Sequence, residues 1–128
     1  MISLPHPVRL FLHTPATELR KGFDALSGLV TTAFGQDPTS GHLFLFVNRR
    51  RDRLKILYWD RDGLAIWYKR LETGSFQLPV TASDAASIEM SSTQLGLILS
   101  GIDLGSARQR KRYQRPTPKA EKSISVPL

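Results

Sequence analysis

Apolar residues recur along this chain with two different periods, and the change between them divides it into elements. Leu19, Phe23, Leu26, Val30 and Phe34 repeat at the i, i+4, i+7 spacing of one helical face, while Arg20, Lys21, Asp24 and Ser27 point away from it. This predicts a long helix over residues 17–34. Thr17, or Thr14 followed by Pro15 at the first helical position, supplies a cap at its start, and Gly35 a stop at its end. Gly22 and Gly28 weaken a helix locally, which points to close packing against a neighbour.

Shorter apolar runs surround that helix. Residues 8–12 read as a first strand closed by Thr14-Pro15. After a loop at 36–41, residues 42–47, 54–59 and 64–70 read as three strands at close spacing. Asp60-Arg61-Asp62-Gly63 is a hairpin turn, and residues 76–78 are a candidate last strand. Residues 80–90 read as a slightly acidic loop. A second helix fits 92–102, with Ser91 and Gln94 as a capping box, Leu95, Ile98, Leu99 and Ile102 as its apolar face and Gly101 near its end.

The expected fold class is therefore α+β: a small antiparallel sheet of three to five strands, in β-α-β-β-β-α order, packed on one long helix, with a short second helix. The strands are apolar on both faces, whereas a half-solvated antiparallel sheet alternates. One face is assigned to the long helix. The other is left to the second helix, to a second subunit in a homo-oligomer, or to another protein. From Gly105 onward the chain is basic and interrupted by Pro116, Pro118 and Pro127, so residues 1–104 are expected to form one domain and 105–128 a flexible tail.

Composition narrows the function classes. A chain of 128 residues suits one domain better than two. No apolar run approaches the ~20 residues of a bilayer span, and the N-terminal residues lack the basic and apolar regions of a signal peptide. The absence of cysteine excludes disulfides, thiolate zinc sites and cysteine nucleophiles, and fits a cytoplasmic location. His6, His13 and His42 are scattered without metal-ligand spacing. No serine sits in a nucleophile elbow and no glycine-rich loop precedes a helix. Asp52, Asp60 and Asp62 are the one carboxylate set that could hold Mg²⁺ for phosphoryl transfer. Each lies in a turn, where aspartate bonds nearby backbone, and each neighbours an arginine. The sequence thus points to a non-enzyme without cofactors.

The net charge is +7 and is unevenly placed. Arg49, Arg50, Arg51, Arg53, Lys55, Arg61, Lys69 and Arg70 make the middle of the chain basic, and Arg108, Arg110, Lys111 and Arg112 lie in a polycationic run within the tail. Arg49, Arg50, Arg51 and Arg53 crowd one hairpin tip, where guanidinium groups match phosphate geometry. Lys55, Lys69 and Arg70 extend the stripe along the strands, and Tyr58, Trp59, Trp67 and Tyr68 are interleaved with it. Exposed rings there would stack on unpaired bases, while buried rings would be ordinary core. A solvated turn and a solubilising tail are the plainer readings of the two basic runs.

At these residues the chain resembles a known family, the TnpB-type accessory protein encoded by the second reading frame of the IS-sixty-six group of bacterial insertion sequences. The matching stretches are Arg20-Lys21-Gly22-Phe23-Asp24-Ala25-Leu26, Asp37-Pro38 to Gly41-His42-Leu43-Phe44, residues 48–60, Trp67-Tyr68-Lys69-Arg70-Leu71-Glu72 and Gly101-Ile102-Asp103. Order and spacing agree across about residues 1–116. Thr17-Glu18 stands where the family motif has Asp-Met, Arg61 stands where Gly is common, and the tail beyond Pro116 lies outside the resemblance. The resemblance implies a partner of a separate, larger transposase that carries the acidic catalytic triad. It carries over no catalytic residues. It does not extend to the same-named RNA-guided nucleases, which are much larger. The expected partners are DNA at the element's ends, the transposase and other proteins of the same element. The competing readings are a protein-interaction module docking through the sheet and the 95–102 helix, and a metal-dependent nuclease built on the three aspartates.

Overall fold

The computed structural model describes residues 7–79 and 85–100. Among these described residues, five strands form one sheet in the order β4-β3-β2-β1-β5. They are β1 Leu10–His13, β2 Leu43–Val47, β3 Arg53–Asp60, β4 Gly63–Arg70 and β5 Ser87–Met90, with helix α1 at Phe23–Leu29 and helix α2 at Ser92–Ser100.

The class is α+β, but the sheet is mixed rather than antiparallel. β1 pairs parallel with β2, Phe11 lying opposite Phe44, because the segment carrying α1 crosses over between them. The other three ladders are antiparallel. The fifth strand is β5, not residues 76–78. Within the stretch read as loop, Ser87-Ile88-Glu89-Met90 alternates polar and apolar, and Ile88 and Met90 pack on the core while β5 pairs with β1. Phe76 is instead an irregular-segment side chain only 1% exposed, with its N–H donating to the Arg51 carbonyl at 2.6 Å.

The long helix is shorter than its apolar period predicts. Residues 17–22 are not helical: the Thr17 N–H donates to the Val47 carbonyl at 2.9 Å, which lays that segment beside the end of β2, and Gly22 caps α1 in an extended conformation. Leu19 is still buried, whereas Phe23 is 49% exposed, so the working stripe is Leu26, Val30 and Phe34. α1 continues as a π-helical turn over Val30–Phe34, closed by Gly35 at φ +62°. Among the described residues, a Cβ at Gly22 or Gly28 would meet nothing within 4 Å, so neither glycine packs closely against any of them.

Two cores sandwich the sheet. Phe11, Phe44, Phe46 and Leu57 on one face meet Leu26, Val30 and Phe34. Leu10, Leu12, Leu45, Val47, Leu54 and Ile56 on the other meet Phe76, Ile98 and Leu95. The second face is therefore covered from within the chain by α2 and by the segment after β4. α2 starts as its sequence predicts: Ser91 Oγ accepts from the Gln94 N–H at 3.1 Å, and Gln94 Oε1 accepts from the Ser91 N–H at 2.9 Å. Ile102, the 104/105 boundary and the tail lie outside the described residues. Among the described residues, no helix is long and apolar enough to cross a membrane.

Candidate nucleic-acid interface

The β2–β3 tip is built on Asn48. Its side-chain carbonyl accepts the N–H groups of Asp52 and Arg53 at 3.1 and 3.0 Å, and its amide donates to Asp52 Oδ1 at 2.7 Å. Arg51 closes the turn by donating its N–H to the Asn48 carbonyl at 3.0 Å, and it does so at φ +59°, in the left-handed region. The tip is thus locked from inside by Asn48 and from beside by Phe76. Its arginine side chains are turned out, Arg49, Arg50, Arg51 and Arg53 all being exposed.

The tip faces the irregular segment before α1 across an open cleft of about 570 Å³, lined by Arg20, Arg49, Arg50 and Arg53 together with Glu18 and Asp52. Both carboxylates are already engaged. Glu18 accepts from Arg20 at 3.2 Å, and the Asn48 amide holds the Asp52 carboxyl below its ordinary value against the opposing effect of burial, with the charges of Arg50 and Arg53 adding less. Arg49, Arg50 and Arg51 make no ion pair with any described residue.

Strand alternation divides the rest of the stripe. Arg53 lies opposite Arg70 and Lys55 opposite Tyr68, on the α1 face. Lys69 lies opposite Leu54 and Trp67 opposite Ile56, on the α2 face. Lys69 is therefore separated from Lys55 and Arg70, which the linear sequence groups together. On the α1 face, Lys55 Nζ sits 4.9 Å from the Tyr68 ring centroid and donates to the Lys21 carbonyl at 3.0 Å. Arg53 Nη1 reaches Tyr68 Oη at 3.5 Å, and Arg70 pairs with Glu72 at 3.2 Å. Arg53, Tyr68, Arg70 and Glu72 enclose a second open groove of about 470 Å³. Tyr68 and Trp67 are 47% and 41% exposed, while Tyr58 and Trp59 are half-buried, so the four rings do not share one environment.

The spacing of the elements separates the candidate metal ligands. Asp52 stands at one end of β3 and Asp60 and Asp62 at the other, Asp52 and Asp60 being eight residues or roughly 26 Å apart. His13 packs between the Phe34 and Phe46 rings, and His42 accepts the Arg9 N–H on Nδ1 at 3.0 Å. Among the described residues, no three His, Asp or Glu side chains gather as a metal site. Arg20, not among the sequence-predicted contact residues, and Tyr68, one of the four rings the sequence leaves between base stacking and core, are brought to the basic surface. Arg20's place there depends on residues 17–22 leaving the helical path. Arg108, Arg110, Lys111 and Arg112 lie outside the described residues.

Two curated relatives, the uncharacterized proteins y4jC and y4hO of Sinorhizobium fredii (strain NBRC 101917 / NGR234), are each 34% identical over 117 residues, covering 91% of this chain and 97% of the relative. No solved structure matches the chain. The family model described as IS66 Orf2 like protein matches residues 8–109, which include every described strand, α1 and α2. With the β2–β3 tip, both grooves and both core layers inside that match, the chain belongs to the IS66 Orf2-like family, the accessory proteins of these insertion sequences.

Proposed function

We propose that this protein binds the DNA of its insertion sequence, at the element's ends, and assists the separate transposase there without catalysing a reaction itself. The observation that carries this reading is the cleft at the β2–β3 tip. Arg49 and Arg50 are exposed and make no ion pair with any described residue, on a turn locked by Asn48, with Arg20 and Arg53 beside them and both neighbouring carboxylates occupied. A turn whose backbone is already locked loses little backbone freedom when its exposed guanidinium groups meet phosphate, and such contacts supply affinity and register without reading sequence. Lys55 and Arg70 extend the positive surface along β3 and β4, and Lys69 adds charge on the opposite face. The run containing Arg108, Arg110, Lys111 and Arg112 contributes a second, non-specific phosphate contact. Membership of the family supports the partnership with the element's transposase.

The test is fluorescence anisotropy of the purified protein with labelled duplexes of the element's terminal repeat and a shuffled control, over a salt series. Binding is expected to weaken steeply with salt, with a slope of about 0.9 per phosphate contact. The double variant Arg49→Glu, Arg50→Glu is expected to lose most of the affinity while keeping the wild-type circular dichroism. Unchanged affinity in that variant removes the tip from the DNA contact. No binding by the wild type even at low salt transfers the basic tip to an acidic protein partner.

A further inference from the structure

The groove on the α1 face of β3 and β4 differs from the cleft at the tip in containing an aromatic ring. Arg53 and Arg70 stand directly opposite each other across the ladder, a like-charge pairing that lowers stability unless an anion lies between them. Glu72 partly offsets Arg70 but does not pair with Arg53. The next pair inward is Lys55 and Tyr68, with the Lys55 ammonium held over the ring by the Lys21 carbonyl. Nearly half of Tyr68 remains in solvent, on a strand at the edge of the sheet. Paired arginines next to an exposed ring match the repeating unit of a single strand, in which a phosphate is followed by an unstacked base. A duplex offers the phosphate and keeps the base face inside its stack.

We propose that this groove binds one nucleotide of an unpaired DNA strand, its phosphate between Arg53 and Arg70 and its base stacked on Tyr68. The inference rests on the DNA-binding reading and narrows it: the tip takes duplex phosphates and the Tyr68 groove takes an adjoining single strand.

Anisotropy of the full chain with three probes tests it: a blunt duplex, the same duplex with a short thymidine overhang, and the same overhang built from abasic sites. The overhang is expected to bind on the order of tenfold more tightly than the blunt duplex, the scale of one base–aromatic stack, with the abasic overhang losing most of that gain. In Tyr68→Leu the ratio of overhang to blunt affinity should fall towards one, and in Tyr68→Phe it should persist. A wild-type protein that binds blunt and overhang probes alike, or abasic and thymidine overhangs alike, overturns the inference and leaves the DNA-binding reading intact. The three-probe comparison needs no variant, so a poorly folded Tyr68→Leu cannot mask that result. Failure of all three probes to bind overturns both readings.

Discussion

Arg53 and Arg70 are direct cross-strand partners on β3 and β4, on the face of the sheet that carries α1. Two guanidinium groups in register at the end of a ladder work against folding, by roughly 0.2–1 kcal/mol for an exposed pair. In Arg53→Gln, urea unfolding should therefore shift to a higher midpoint while affinity for DNA drops and its salt slope becomes shallower. Stability and binding should move in opposite directions. A variant that loses both would indicate that Arg53 supports the fold, as its long contact with Tyr68 Oη alone would not suggest.

Arg51 poses the same opposition in the backbone. Its φ of +59° is a conformation that costs an L residue about 1–2 kcal/mol and glycine very little. The conformation is fixed on both sides, by the N–H bond to Asn48 and by the carbonyl bond from Phe76. Arg51→Gly should raise the midpoint of thermal unfolding by relieving this strain, offset in part by the greater freedom of glycine in the unfolded chain. It should also lower the affinity for duplex DNA by removing one cation. Arg61, at the same φ in the β3–β4 turn and well away from the tip, is the control. Arg61→Gly should give the stabilisation with a smaller effect on binding.

Gly28 gives a prediction with no functional term. It lies inside α1, and among the described residues a Cβ there would meet nothing within 4 Å, so none of them supplies the packing expected from the sequence. Gly28→Ala should stabilise the protein by about 0.5–1 kcal/mol in chemical denaturation and leave DNA binding as it was. Destabilisation would show that a part of the protein beyond the described residues packs against this position.

The elements were legible where local chemistry decides them and obscured where long-range pairing does. The strands β2, β3 and β4 emerge from their apolar runs, and the start of α2 from Ser91 and Gln94. Both faces of the sheet were readable as buried. The parallel pairing of β1 with β2 was signalled as well, by two apolar runs joined through a helix, but the antiparallel expectation followed the three closely spaced strands after it. The helix was overextended because Leu19 falls in phase with Leu26 and is buried by another route, through a segment pinned at Thr17 to Val47. β5 was missed although Ile88 and Met90 alternate with Ser87 and Glu89, a pattern only four residues long. At the candidate site the tip arginines were evident in order, but the sorting of Lys55 and Arg70 from Lys69 needed the ladder register.

His13 gives the protein a pH response that can be assigned to one residue. It is 8% exposed, packed between the Phe34 and Phe46 rings, and burial pushes its imidazole below the ordinary value of 6.5, with a backbone contact to Ala86 acting in the other direction. A lowered value in the fold means that the unfolded chain takes up the proton first. Stability is therefore fully present above about pH 6.5 and falls as the pH drops from there towards the folded value, by at most about 1.4 kcal/mol per pH unit for one proton. Asp37, Asp52 and Glu89, whose carboxyls are all held below their ordinary values, lose their contributions only at more acidic pH, so the window just below 6.5 excludes them. Unfolding midpoints measured from pH 8 to pH 5 should fall for the wild type and fall less for His13→Phe, which keeps a ring between Phe34 and Phe46. His6 and His42 are common to both proteins and cancel in the difference. Parallel curves for the two proteins would show that His13 takes up its proton in the fold as readily as in the unfolded chain.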